Sequence, residues 1–193
     1  MTHICIFCGS NYSNRPIYAE AARDVGRALA ERGIGLVYGG GHVGLMGEVA
    51  NSALEAGGTV IGVIPEALFS RELGHTGLTE LHVVGSMHDR KKMMEDLSDA
   101  FITLPGGFGT MEEFFEVLTW AQLGLHGKPC GLLNIDGYFN SLLSLFDTFI
   151  EERFARREHL DFVLAEERIE DLLDRIANYT PPVLTRWIAD DEV

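Results

Sequence analysis

The chain has 193 residues, 46% of them hydrophobic, and its 15 basic and 29 acidic side chains give a formal charge of −14. That length suits one compact unit with a substantial core. The charge argues against non-specific nucleic-acid binding, and no apolar run approaches the ~20 residues of a membrane span.

An anionic small molecule remains compatible with this charge, because local N–H groups and one or two cations outweigh a diffuse field. The N-terminus has no basic segment followed by a long apolar stretch, so no secretory signal is expected. The cysteines are Cys5, Cys8 and Cys130. An odd number fits a reducing cytoplasm. Cys5-Ile6-Phe7-Cys8 lies in an apolar strand pattern, not at a loop or helix start. It reads as buried thiols, not as a zinc or redox pair.

In chain order, the pattern predicts strand His3–Cys8, helix Pro16–Arg32, strand Gly35–Tyr38, helix Leu45–Ala56 and strand Thr59–Ile64. An irregular segment, Pro65–Thr79, reads as a flap. Strand Glu80–Val84, helix Ser86–Leu97, strand Ala100–Leu104, helix Thr110–Leu123 and strand Cys130–Leu133 follow. The last predicted elements are helices Tyr138–Glu151 and Ala165–Asn178, then a frayed tail, Pro181–Val193. The strand segments are rich in Ile, Val, Leu and Phe, and several lack polar alternation. This suits parallel strands covered on both faces. The expected fold is α/β: a Rossmann-like, doubly wound, mostly parallel sheet with helices on both faces. One nucleotide-binding domain is expected over residues 1–180, with a flexible tail at 181–193.

Ligands of such sheets bind outside the carboxyl ends of the strands. Three loops at that edge carry glycine. Gly9-Ser10-Asn11 follows the first strand. Gly39-Gly40-Gly41-His42-Val43-Gly44 follows the second. Pro105-Gly106-Gly107-Phe108-Gly109-Thr110 follows the fifth. One such loop makes an ordinary tight turn; three at one edge favour a phosphate-bearing ligand. No GK[ST] ending marks a P-loop, and the first loop lacks the dinucleotide fingerprint. The GxGxxG at Gly39–Gly44 is isolated, with no ribose-binding acid after it.

Thr110-Met111-Glu112-Glu113 admits two readings. Thr110-x-x-Glu113 has capping-box spacing, with Thr110 as N-cap. Alternatively, Glu113 is a catalytic carboxylate beside the phosphate. Ser86-x-x-Asp89 marks a helix start, followed at once by Arg90, Lys91 and Lys92. These cations form either a solvated face or a ligand-facing pair of Arg90 and Lys91. No HxH or HExxH spacing suggests a metal, and no GxSxG elbow marks a serine hydrolase.

Together, Cys8-Gly9-Ser10, Tyr38-Gly39-Gly40-Gly41, Gly44-Leu45-Met46-Gly47, Met87-His88-x-Arg90-Lys91 and Pro105-Gly106-Gly107-x-Gly109-Thr110-x-x-Glu113 resemble the LOG (LONELY GUY) family. These are cytokinin riboside 5′-monophosphate phosphoribohydrolases, and the resemblance runs to about residue 180. It implies hydrolysis of the N-glycosidic bond of an adenosine 5′-monophosphate, N6-modified or not. The products are a free base and ribose 5-phosphate. Arg90 and Glu113 are the implied catalytic pair. Gly106, Gly107, Gly109 and Thr110 are implied to bind phosphate, and Lys91, Glu112, Thr119 and the flap residue Glu72 to line the substrate site. Gly9, Ser10, Gly40, Gly41, Met46 and Met87 complete the expected binding set. A homodimer with its site near the interface is implied; no metal or cofactor is. Similar proteins are often labelled lysine decarboxylases, but no lysine here has a context suited to pyridoxal phosphate. The alternatives are a non-catalytic nucleotide or molybdenum-cofactor carrier and a scaffold whose glycines only make turns.

Overall fold

The computed structural model describes residues 1–69 and 74–182. Glu72 and the tail from residue 183 onward lie outside the described residues. Seven strands form one sheet: β1 His3–Phe7, β2 Gly35–Tyr38, β3 Val60–Pro65, β4 Glu80–Val84, β5 Ala100–Thr103, β6 Cys130–Leu133 and β7 Val163–Glu166. Their spatial order is β4-β3-β2-β1-β5-β6-β7, and every pairing is parallel. The helices are α1 Pro16–Glu31, α2 Gly44–Glu55, α3 Glu66–Phe69, α4 Met87–Asp96, α5 Phe108–Gln122, α6 Asn140–Glu151 and α7 Ile169–Ala177. None of them is long and apolar enough to cross a membrane.

The pleat explains the unbroken apolar strands. Successive side chains point to opposite faces, and both faces are covered. In β1, Ile4 and Ile6 join a core with α1, α2 and α7, whereas Cys5 and Phe7 join a second core with α4, α5 and α6. The central strands β1, β2, β3, β5 and β6 are almost wholly buried, and β4 at the edge is only half-buried.

The Rossmann-like expectation holds, with one strand more than the pattern reveals. Residues Ala165 and Glu166, expected to begin the last helix, complete β7 instead. This edge strand has only four residues and one fully buried side chain. Pairing with β6 in the register Cys130↔Val163 to Leu133↔Glu166 makes it a strand. An edge strand of that length carries too little periodicity to be distinguished from the helix that follows.

The strand order also locates the ligand edge. The chain winds one way from β1 through β4, then returns to the other side of β1 with β5. The crevice outside the carboxyl ends of β1 and β5 is therefore the topological switch point, where ligands of this architecture bind. The loops leaving those two strands are Gly9-Ser10 and Pro105–Gly107. They are stitched together: the Gly9 N–H donates to the Pro105 carbonyl at 3.2 Å, and the Leu45 N–H donates to the Gly9 carbonyl at 3.0 Å.

Candidate active site

A cavity of about 520 Å³ opens at this switch point. That is an ordinary size for a small-molecule site. The loop after β5 runs directly into α5. Gly107 is the N-cap, in extended conformation, and no side chain caps the helix. The first intrahelical bond is donated by the Met111 N–H to the Gly107 carbonyl at 3.1 Å. The N–H groups ahead of Met111 precede that bond and lie at the positive end of a 15-residue helix. Phe108, Gly109 and Thr110 all line the cavity.

This geometry corrects one expectation. Thr110 is not the N-cap; it is the third helical residue and is buried. The glycines carry the chain into the helix three residues before the capping-box spacing predicts. Glu113 is consequently one turn inside α5, and its side chain lines the cavity.

Opposite Glu113 stands Arg90, on α4. Ser86 caps that helix as its spacing predicts: the Asp89 N–H donates to Ser86 Oγ at 3.1 Å, and Ser86 Oγ donates to Asp89 Oδ2 at 2.7 Å. One turn into this helix Arg90 points inward and is only 6% exposed. Its Nε donates to the Val63 carbonyl at 3.2 Å, and its Nη2 to the Gly39 carbonyl at 3.1 Å. Its Nη1 lies 3.7 Å from Glu113 Oε1. Arg90 is thus held by the ends of β2 and β3 and presented to the carboxylate. Gly39 makes room for it, since a Cβ there would sit 1.9 Å from Nη2.

The three consecutive cations divide by position. Arg90 enters the cavity wall. Lys91 turns toward α5, with Nζ 2.5 Å from Glu112 Oε1 and 2.9 Å from Glu116 Oε1. Burial alone would lower the Lys91 pKa, but these two carboxylates raise it above the usual lysine value. Lys92 is solvent-facing and pairs with Glu95 and Asp96. A single basic face and a ligand-facing Arg90–Lys91 pair both fail to describe this arrangement.

Of the residues expected to bind, Gly9, Ser10, Met46, Met87, Gly106, Gly107, Gly109, Thr110 and Glu112 line the cavity with Arg90 and Glu113. Lys91, Gly40, Gly41 and Thr119 lie outside its wall. Lys91 reaches the wall through Glu112. The Gly40 carbonyl accepts the His75 N–H at 3.0 Å, and Gly41 bridges Gly74. These two glycines therefore hold the chain on the far side of residues 70–73. Thr119 Oγ1 donates back to the Phe115 carbonyl at 2.6 Å on an exposed part of α5.

Further wall residues lie outside the expected binding set. Asn11, Tyr12 and Ser13 continue the first loop, Tyr18 comes from α1, and Tyr138 comes from the connection before α6. The first-loop residues adjoin the recognised Gly9-Ser10. Tyr138 is distant in sequence and gave no signal. Phe108 is 97% exposed at the rim. Cys8 also reaches the wall, but burial first and the Glu113 charge second hold its thiol well above the ordinary value. It is a neutral wall group, not a nucleophile. Among the described residues, no group of three His, Cys, Asp or Glu side chains forms a metal-ligand set.

Residues 46–176 match the family model described as "Possible lysine decarboxylase". The lysines do not fit the chemistry in that description: Lys91, Lys92 and Lys128 are each ion-paired and none lines the cavity. The chain is 49% identical over 177 residues to the "Probable cytokinin riboside 5′-monophosphate phosphoribohydrolase LOGL1" of Oryza sativa subsp. japonica, covering 92% of this chain and 79% of the relative. It is 48% identical to the cytokinin riboside 5′-monophosphate phosphoribohydrolase LOG3 of Arabidopsis thaliana, covering 92% and 83%. Among solved structures, the molybdenum cofactor binding protein of Rippkaea orientalis superposes with a TM-score of 0.69 at 24% identity, covering 92% and 96%. That likeness concerns the fold alone. The sequence relationship covers 92% of the chain at nearly half identity, and by it the chain belongs to the LOG family of phosphoribohydrolases.

Proposed function

We propose that this protein hydrolyses the N-glycosidic bond of an adenosine 5′-monophosphate, plain or N6-modified, releasing the free base and ribose 5-phosphate. The observation that carries the reading is the Arg90–Glu113 pair, set 3.7 Å apart in the wall of a cavity that also contains an uncapped helix N-terminus. The relatives' activity supports it. The glycine loop and the first turn of α5 receive the phosphate. That contact is remote from the reacting bond and supplies binding energy for positioning the ribose.

As the C1′–N bond breaks, its electron pair leaves with the base and positive charge builds on the ribose ring. Glu113 stabilises that charge and takes a proton from the water that adds at C1′, while the departing base gains a proton from solvent, balanced by the one Glu113 then releases. Arg90 favours the ionised form of Glu113 by its own charge. With Nε and Nη2 committed to carbonyls, Arg90 acts here as an orienting cation for Glu113. Incubation of the purified protein with AMP and with isopentenyladenosine monophosphate, followed by chromatography, should release adenine or isopentenyladenine. Binding of both nucleotides without release of either base would favour a carrier instead.

A homodimer is part of the same reading. Leu123 and Leu125, at the end of α5, are 66% and 70% exposed, and Phe115, Leu118 and Trp120 are only partly covered. Exposed apolar side chains on one helix and just beyond its end fit a second copy. Sedimentation equilibrium should give twice the 21.3 kDa chain mass; a mass of one chain would rule the dimer out.

A further inference from the structure

The phosphate loop contains a mechanical weakness. Gly106 and Gly107 are adjacent, and neither has a Cβ to restrain the peptide between them. That peptide can flip at little cost. A flip exchanges the directions of the Gly107 N–H and the Gly106 carbonyl in a loop that lines the cavity, and so changes the pattern of donors and acceptors offered to an anion. Gly106 must remain glycine, because a Cβ would sit 2.2 Å from Thr110 Oγ1. The restraint has to come from elsewhere.

Tyr138 supplies a contact of the required kind. Its hydroxyl donates to the Gly106 carbonyl at 2.6 Å. The peptide is trans, so fixing the carbonyl fixes the opposed Gly107 N–H. Tyr138 is itself held by a built turn. The Asn134 side chain accepts the Phe139 N–H at 2.7 Å and donates to Asn140 Oδ1 at 2.9 Å. Between them, Asp136 and Gly137 both have left-handed backbones, with φ of 51° and 72°. This conformation is costly at a non-glycine residue such as Asp136. Asp136 pairs with Arg15, whose Nη1 donates to the Tyr18 hydroxyl at 3.1 Å. The Tyr18 ring meets the Tyr138 ring edge to face, 5.5 Å between centroids. A strap therefore runs from the start of α1 to the phosphate loop.

We infer that Tyr138 is a positioning residue for the phosphomonoester, its hydroxyl locking the Gly106–Gly107 peptide against flipping, with Tyr18 and the Arg15–Asp136 pair bracing its ring. The inference rests on the phosphate-binding part of the proposed function and not on the chemical step. Calorimetric titration of wild type, Tyr138→Phe and Arg15→Gln with ribose 5-phosphate, AMP and adenosine tests it. Tyr138→Phe keeps the ring packing and removes one hydrogen bond. Affinity for ribose 5-phosphate and AMP should fall about tenfold, the upper range for one such bond, with adenosine affinity unchanged. Arg15→Gln should give a smaller loss with the same selectivity. Equal weakening of AMP and adenosine, or no weakening of either, would overturn the inference. Base release by the wild type is measured alongside. If it is absent, the hydrolase reading fails, while the phosphate selectivity still judges Tyr138.

Discussion

Replacing Glu113 with Gln is expected to lower kcat for base release from AMP by about 10²–10⁴-fold, the usual contribution of a general acid or base. The amide keeps the size of the side chain and its place in α5, so the fold and nucleotide affinity should be retained. The expected result is a split: a collapsed kcat with KM within a few fold of wild type. This split separates the carboxylate's chemical role from a helix-capping one. A capping residue contributes about 1 kcal/mol of stability and nothing to turnover. Thr110 already lies inside the helix, which weakens the capping alternative on geometry alone. Steady-state kinetics with a thermal melt would decide, and a Glu113→Gln variant with wild-type kcat would remove the carboxylate from the mechanism.

Arg90→Met is expected to damage stability and activity together. The guanidinium is buried and serves three groups: the Val63 and Gly39 carbonyls and the Glu113 carboxylate. Met matches much of its length but donates nothing. Removing one partner of a buried ion pair typically costs about 3–5 kcal/mol, much of it from leaving the other charge uncompensated. At the low end of that range, Tm should fall by about 6–12 °C for a chain of this size. Turnover should fall as well, because Glu113 loses the cation that favours its ionised form. Lysine is not a conservative substitute, since one ammonium cannot reproduce the fork that meets two carbonyls. Gly39→Ala should reproduce the defect from the other side, because its Cβ would collide with Nη2. If Arg90→Met melts like wild type, the guanidinium is not the structural link between β2, β3 and α5 described here.

Much of the fold was legible because its signals are local. Apolar runs of strand length, helix starts at Pro16 and Ser86, and glycines where the chain must turn are all encoded within a few residues. The edge strand β7 was not, because its identity comes from pairing with β6. The Thr110-x-x-Glu113 spacing was misleading for a related reason. Capping-box spacing says which residues are able to cap; the path of the glycine loop decides where the helix begins.

The site divides along the same line. Residue types and short spacings specify the chemistry available: glycine loops after β1 and β5, a carboxylate in the first turns of α5, and a cation near the start of α4. These are properties of residue type and short spacing, and they sufficed for the family resemblance. Which of these groups meet depends on how the sheet and helices pack. Arg90, Lys91 and Lys92 are neighbours in the chain, but helical rotation sends them to the cavity wall, to α5 and to solvent. Arg90 approaches Glu113 because β2 and β3 hold its guanidinium from below, and Tyr138 approaches Gly106 across 32 residues of chain. Such contacts depend on strand order and packing, which arise from burial summed over the whole sheet and leave no trace in a local window.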